Sequence, residues 1–120
     1  MRNECMRILV LDDDRAITGV IEDVLRPVCA LTIANSFDEA AAALCMNHYD
    51  LFLCDYMIDG LPSTLFLEAV ALRHPSLRCV LMTGSPRHEW NGMLVRGVVV
   101  AALSKPFDLN QLRAVIRSNQ

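Results

Sequence analysis

The sequence predicts an α/β protein built from five consecutive βα units around a parallel sheet. Apolar runs of strand length alternate five times with longer segments of helical period. The first, third, fourth and fifth runs lack polar alternation, as strands need when helices cover both faces of a parallel sheet. The chemically active residues gather at the C-terminal ends of these runs, where open α/β sheets bind ligands.

The first strand is Ile8–Leu11, followed by Asp12, Asp13 and Asp14. Ala16–Leu25 sets Ile17, Val20, Ile21, Val24 and Leu25 at helical spacing, and Pro27 stops that helix. Asp14 reads as its cap or as a solvated residue. Leu31–Ala34 is a second, weaker strand. Ser36 with Glu39 three residues on is a capping-box signature for a helix over residues 37–47. Leu51–Cys54 is the third apolar run, and it ends in Asp55.

A loop containing Gly60 and Pro62 leads to a helix over Ser63–Arg73, closed by His74-Pro75. Cys79–Met82 is the fourth strand, ending in Thr83. Ser85-Pro86 reads as N-cap and first helical residue of a helix that Asn91-Gly92 weakens. Val98–Leu103 is the fifth strand. After Lys105-Pro106-Phe107, Asp108 caps a last helix with Leu109, Leu112, Val115 and Ile116 on one face.

The chain of 120 residues suits one domain, and 53% hydrophobic residues supply a core that a disordered chain lacks. A net charge of −3, with scattered basic residues, argues against a nucleic-acid surface. Five cysteines without a C-x-x-C pair argue against a zinc cage or a disulfide framework. At least three of them are placed in strands, as small apolar residues. This usage points to a reducing, cytoplasmic compartment. No stretch approaches the ~20 apolar residues of a membrane span, and Met1 to Met6 form no apolar signal core.

Asp12, Asp13, Asp55, Thr83 and Lys105 converge at the strand ends although they lie far apart in sequence. Each alone is weak: acids after a strand are often turn formers or caps, and a Lys before Pro usually faces solvent. Together they carry chemistry. Three carboxylates in one crevice repel each other unless a cation neutralises them, and an all-oxygen set suits Mg²⁺ or Mn²⁺. A carboxylate there can act as a nucleophile and form an acyl phosphate. The Thr83 hydroxyl and the Lys105 ammonium would then neutralise phosphoryl oxygens, and phosphoryl transfer needs little beyond positioning and charge neutralisation.

The segments Ile8-Leu9-Val10-Leu11-Asp12-Asp13-Asp14, Asp50-Leu51-Phe52-Leu53-Cys54-Asp55, Val80-Leu81-Met82-Thr83-Gly84 and Lys105-Pro106-Phe107 resemble the receiver domain of response regulators. The resemblance covers roughly residues 6–118, so residues 1–120 are taken as a single receiver domain. It implies a flavodoxin-like three-layer fold of strand order 2-1-3-4-5. It implies that Asp55 accepts a phosphoryl group from a sensor histidine kinase or histidine phosphotransfer protein. It also implies a regulatory domain rather than an enzyme proper. By the same match Asp13 ligates the metal directly, Asp12 mainly through water, and the backbone carbonyl of Met57 is a further ligand. Lys105-Pro106 is expected to be cis.

Several positions depart from the family pattern. Ile58-Asp59 replaces the usual Met-Pro, and Asp59 reads as a solvent-facing acid. Ser63 stands where Gly is usual, and Gly97 comes one residue early before the fifth strand. Ala102 replaces the aromatic that normally turns inward with the Thr, so an unusual output is expected. Trp90 reads as a cover for core left open by Ala102 or as a half-exposed side chain, with a partner-binding anchor as the alternative. Met57 and Ser85 flank the acceptor and the Thr, and apolar Met57 should not accelerate loss of the phosphoryl group.

A receiver-like docking or dimerisation module is the main competing reading. A haloacid-dehalogenase-type phosphatase fits poorly. Ala16 stands where that family wants Thr or Val, no acid pair follows Lys105, and the chain leaves no room for a cap domain. A flavin carrier fits worse, because acids after the first strand would repel its phosphate. A homodimer and a fused output domain both stay open. Asn110, Arg113 and Arg117 on the last helix read as solvated surface.

Overall fold

The computed structural model describes residues 6–120. Its elements are β1 (Arg7–Leu11), α1 (Arg15–Leu25), β2 (Ala30–Ala34), α2 (Phe37–Met46), β3 (Leu51–Asp55), β4 (Met57–Ile58), β5 (Leu61–Pro62), α3 (Thr64–Arg73), β6 (Arg78–Thr83), α4 (Arg87–Val95), β7 (Ala101–Ser104) and α5 (Leu109–Ser118). Five parallel strands form a sheet of order β2-β1-β3-β6-β7. Counted within that sheet alone, this is the expected 2-1-3-4-5 order of a flavodoxin-like fold. β4 and β5 form a separate antiparallel hairpin in the segment read as a loop.

The lack of polar alternation now has its cause. β3 is buried throughout, and β1 and β6 are buried beyond their first residue. Successive side chains enter opposite layers. Leu9, Leu11, Phe52, Cys54 and Leu81 join a cluster with Leu44, Leu67, Val70 and Trp90 beneath α2, α3 and α4. Ile8, Val10, Leu53, Val80 and Met82 join Ile21, Leu25, Leu112 and Ile116 beneath α1 and α5. Edge strands β2 and β7 are only half-buried.

Some expectations need correction. β7 starts at Ala101, not Val98. Gly97 takes φ +77°, and the amides of Gly97 and Val98 donate to Leu94 and Met93 carbonyls. That is a Schellman motif: Gly97 is the glycine that ends α4, and Val98 and Val99 belong to its turn. Helix α4 runs unbroken through Asn91-Gly92, held by an Arg87–Asn91 hydrogen bond and an Arg96–Glu68 ion pair to α3. Pro86, with extended backbone, is its N-cap, so the helix begins one residue later than expected.

On α1, Val20 is exposed and Thr18 takes the buried place, its hydroxyl donating to the Arg15 carbonyl. Leu109 of α5 is likewise exposed. Ser36 caps α2, but Glu39 reaches the amide of Asn35 rather than Ser36. Asp14 and Asp108 cap α1 and α5 as read. Cys54 and Cys79 lie in strands, whereas Cys29 precedes β2 and Cys45 is exposed on α2. Cys5 and most of the N-terminal segment lie outside the described residues. Among those residues no helix is long and apolar enough to cross a membrane.

Candidate functional site

The sheet delivers its acids to one place. Asp12 and Asp13 follow β1, and Asp55 ends the neighbouring β3. One carboxylate oxygen from each lies within 4.8 Å of the others, an arrangement that could hold a metal ion. Asp12 is fully buried. Its Oδ1 accepts from the Asp14 amide, and its Oδ2 accepts from Lys105 Nζ at 2.9 Å. Asp55 is buried, and its Oδ2 lies 3.1 Å from the same ammonium.

Three acids against one ammonium leave the cluster negative. Burial and the charge of Asp12 push the Asp55 carboxyl up to about 6, against the opposing pull of Lys105. Burial pulls the Lys105 ammonium down, but its hydrogen bonds and attraction to Asp12 and Asp55 outweigh this and hold it above its usual value. The residues therefore suit a hard divalent cation, whose charge would offset the surplus.

Asp13 is exposed, and its Oδ2 accepts from the Asp59 amide at 2.8 Å. Asp59 itself is exposed, at φ 54°, so its backbone rather than its carboxylate serves the site. The hairpin orients Met57. The Ser63 amide donates to the Tyr56 carbonyl, and Met57 pairs with Pro62 in the next register position. Antiparallel pairs alternate between bonded and non-bonded, so the Met57 carbonyl turns away from its partner strand. Pro62 has no amide hydrogen to lose there.

Thr83, buried at the end of β6, accepts the Ser85 amide at its Oγ1, 2.9 Å away. Its carbonyl accepts from the Lys105 amide, which registers the two residues against each other. The Lys105-Pro106 bond is cis, as expected.

Sequence reasoning missed three supports. The hydroxyl of buried Ser63 donates to the Asp55 carbonyl at 2.9 Å, and the Cys54 thiol lies 3.3 Å from that oxygen. Asn35 Nδ2 donates to the Asp12 carbonyl. The Tyr56 hydroxyl donates to the Glu89 carbonyl of α4 at 3.2 Å. Only Ser63 carried a signal, as a departure from the family's Gly. Trp90 is buried, its indole N–H donating to the Ser85 carbonyl, and Ala102 packs on the same core cluster. The reading of Trp90 as core cover therefore holds, and the half-exposed alternative does not.

A sequence family described as the response regulator receiver domain matches residues 8–117. The chain is 27% identical over 110 residues to the DNA-binding transcriptional regulator NtrC of Salmonella typhimurium, covering 91% of this chain and 24% of that protein. It thus spans about a quarter of that relative's length. The signal receiver domain of an HD domain-containing protein from Pseudomonas fluorescens superposes with a TM-score of 0.90 at 22% identity, over 99% of this chain and 89% of that one. The response regulator protein TrrA from Thermotoga maritima, solved in complex with Mg²⁺ and BeF, gives a TM-score of 0.83 at 19% identity, over 96% and 99%.

Proposed function

Because the chain belongs to the response regulator receiver domain family, we propose that Asp55 is its phosphoryl acceptor. The observation that carries this reading is the Lys105 ammonium, set 2.9 Å from Asp12 and 3.1 Å from Asp55 within the acid cluster. The donor is a phosphohistidine of a sensor histidine kinase or histidine phosphotransfer protein. The Asp55 carboxylate oxygen bonds to phosphorus as the P–N bond breaks, and the imidazole leaves with the electron pair and takes a proton from solvent. Lys105 neutralises one phosphoryl oxygen, and the Thr83 hydroxyl donates to another. Asp12, Asp13, Asp55 and the Met57 carbonyl would hold Mg²⁺, or Mn²⁺ in its place. That ion supplies positive charge to the acids and the phosphoryl group. The chain is a regulatory phospho-acceptor rather than a turnover enzyme, residues 1–120 form one receiver domain, and it works in the cytoplasm.

The output runs through α4 rather than through residue 102. Ala102 has no ring to move, but two aromatic side chains tie down the start of α4, Tyr56 from the sheet and Trp90 from within the helix. Tyr56, next to the acceptor, holds the Glu89 carbonyl, and Trp90 holds the Ser85 carbonyl beside Thr83. A shift of Thr83 toward a phosphoryl oxygen pulls on Ser85 and so on Trp90. The bias then falls on the first turn of α4, a two-state element of the kind such switches need. The receiving partner is a fused output domain or a separate protein. Apolar Met57 offers no group to orient an attacking water, so the acyl phosphate should be long-lived for its class.

The test is incubation with Mg²⁺ and a small phosphodonor, followed by mass and by Trp90 fluorescence. The native protein gains one phosphoryl group and Asp55→Asn gains none. A native protein that takes up no phosphoryl group would overturn the reading and favour a docking module. An adduct that persists in Asp55→Asn would move the acceptor to Asp12 or Asp13.

A further inference from the structure

Helices that cover a sheet carry a polar outer face, but α2 and α3 do not. The charges of α2, Asp38 and Glu39, sit in its first turn, and its remaining outward residues are Ala41, Ala42, Cys45 and Met46. On α3 the charged residues are Glu68, which turns to Arg96 of α4, and Arg73 at the C-terminal end. Its outward residues Leu65, Ala69 and Leu72 stand at i, i+4 and i+7, one stripe of a helix. Leu65 is 80% exposed, Leu72 84%, Met46 79% and Leu61 of the adjoining hairpin 60%.

Two furrows complete the relief. One of about 430 Å³ lies among Phe37, Leu61, Leu65 and Phe66. The other, about 110 Å³, lies in the α2–α3 seam among Ala41, Cys45, Phe66, Ala69 and Arg73. Phe66 lines both, so a leucine ridge on α3 borders a trough lined by small and aromatic side chains. A helix that is apolar nearly all round belongs in an interior. Contiguous apolar patches beyond a few hundred Å² mark interaction sites.

We infer that this α2–α3 face is where a second copy of the chain docks, by a two-fold axis lying in the plane of the contact and crossing the helices near Ala69. Charge selects this occupant. The acids Asp38 and Glu39 lie at the N-terminal end of α2, beside the hairpin, and Arg73 and His74 lie at the C-terminal end of α3. The two helices follow the parallel strands β2 and β3, which flank β1, and run the same way. The face therefore has an acidic end, an uncharged middle and a basic end. A two-fold axis across the middle sets each acidic end on the basic end of the other copy and lays the two leucine stripes against each other in antiparallel sense. Such a surface is self-complementary, as an isologous contact requires.

Area sets the strength. An exposed aliphatic side chain of this size carries of the order of 100 Å² of apolar surface, so the four large residues offer about 300 Å² per copy. A stable interface takes roughly 800 Å² per partner. The leucines, Met46 and the alanines form the apolar part of such an interface, and the charged ends form its rim. The dimer is therefore concentration-dependent.

The inference is independent of phosphoryl transfer, and the test uses unphosphorylated, metal-free protein. Sedimentation equilibrium of the full chain from micromolar to millimolar concentration should show monomer and dimer. Leu65→Glu with Leu72→Glu should raise the dissociation constant at least about tenfold, with far-UV circular dichroism and the melting temperature showing that the fold persists. Asp38→Arg and Arg73→Asp should each weaken the dimer, and the two together should restore it. This charge exchange reads the interface even if the leucine variant unfolds. A chain that stays monomeric to millimolar concentration overturns the inference and assigns the face to a different protein. A dimer unmoved by the leucine and charge variants overturns it as well, by placing the contact elsewhere.

Discussion

The hydroxyl of Tyr56 donates to the main-chain carbonyl of Glu89 across 3.2 Å. The residue after Asp55 thus holds the first turn of α4 from 33 positions away in sequence. Replacing Tyr56 with Phe keeps the ring in the core and removes this bond. The folded state should lose about 1 kcal/mol, read by urea denaturation. Phosphoryl uptake at Asp55 should persist while the accompanying Trp90 fluorescence change shrinks. An unchanged fluorescence response would place the readout elsewhere.

Asp55 should make stability depend on pH. Its carboxyl is raised from 3.8 to about 6 in the fold, chiefly by burial and then by Asp12. The folded state therefore binds the proton more tightly than the unfolded chain. The stability this contributes is present below the unfolded value and is lost as pH rises through about 6. Asp55→Asn should stabilise the metal-free protein by about 2 kcal/mol near neutral pH and above. Near pH ~4 the gain should vanish. Denaturation curves of both proteins across that range give the difference directly.

Lys105 opposes the same repulsion. Lys105→Met should leave Asp12 and Asp55 without their cation and destabilise the metal-free fold by about 2–3 kcal/mol at neutral pH. The loss should shrink on acidification, as Asp55 takes up a proton and its charge no longer needs the ammonium. Thermal melts at several pH values distinguish this from a packing defect, which would not follow pH.

A divalent cation should stabilise the fold by mass action. At a Mg²⁺ concentration about a hundred times the dissociation constant the gain is about 2.7 kcal/mol. Asp13→Asn should abolish most of it with little effect on metal-free stability, because Asp13 is exposed and its carboxylate accepts from the exposed Asp59 amide rather than from a core group. Melting temperature against Mg²⁺ concentration for the two proteins reads this.

Ser63 is a buried donor to the Asp55 carbonyl. Ser63→Ala leaves that oxygen with the weak Cys54 thiol as its side-chain neighbour. A cost of about 1–2 kcal/mol is expected in denaturant unfolding. The rate of phosphoryl uptake should fall as well, because the strand end that carries Asp55 is less firmly held.

The strands were legible because burial on both faces demands unbroken apolar runs, and Leu51–Cys54 or Cys79–Met82 admit little else. The site residues were legible because each such run stops at a polar group. The start of β7 was not. Val98 and Val99 are as apolar as any strand residue, but the Gly97 turn claims them. The hairpin of β4 and β5 is two residues a side, too short for a period of two to register. The bonds from Tyr56 to Glu89 and from Asn35 to Asp12 join distant segments through side chains that no local pattern singles out.

Lys105 and Asp12 meet across 93 residues, one from each end of the chain. A ribosome delivers Asp12, Asp13 and Asp55 long before it delivers their ammonium partner. A nascent chain stalled before β7 would hold the acids together without Lys105, and their mutual repulsion would favour opening. Completion of the last βα unit is therefore what closes the crevice electrically, and a chain truncated before it should be a ready substrate for quality-control proteases.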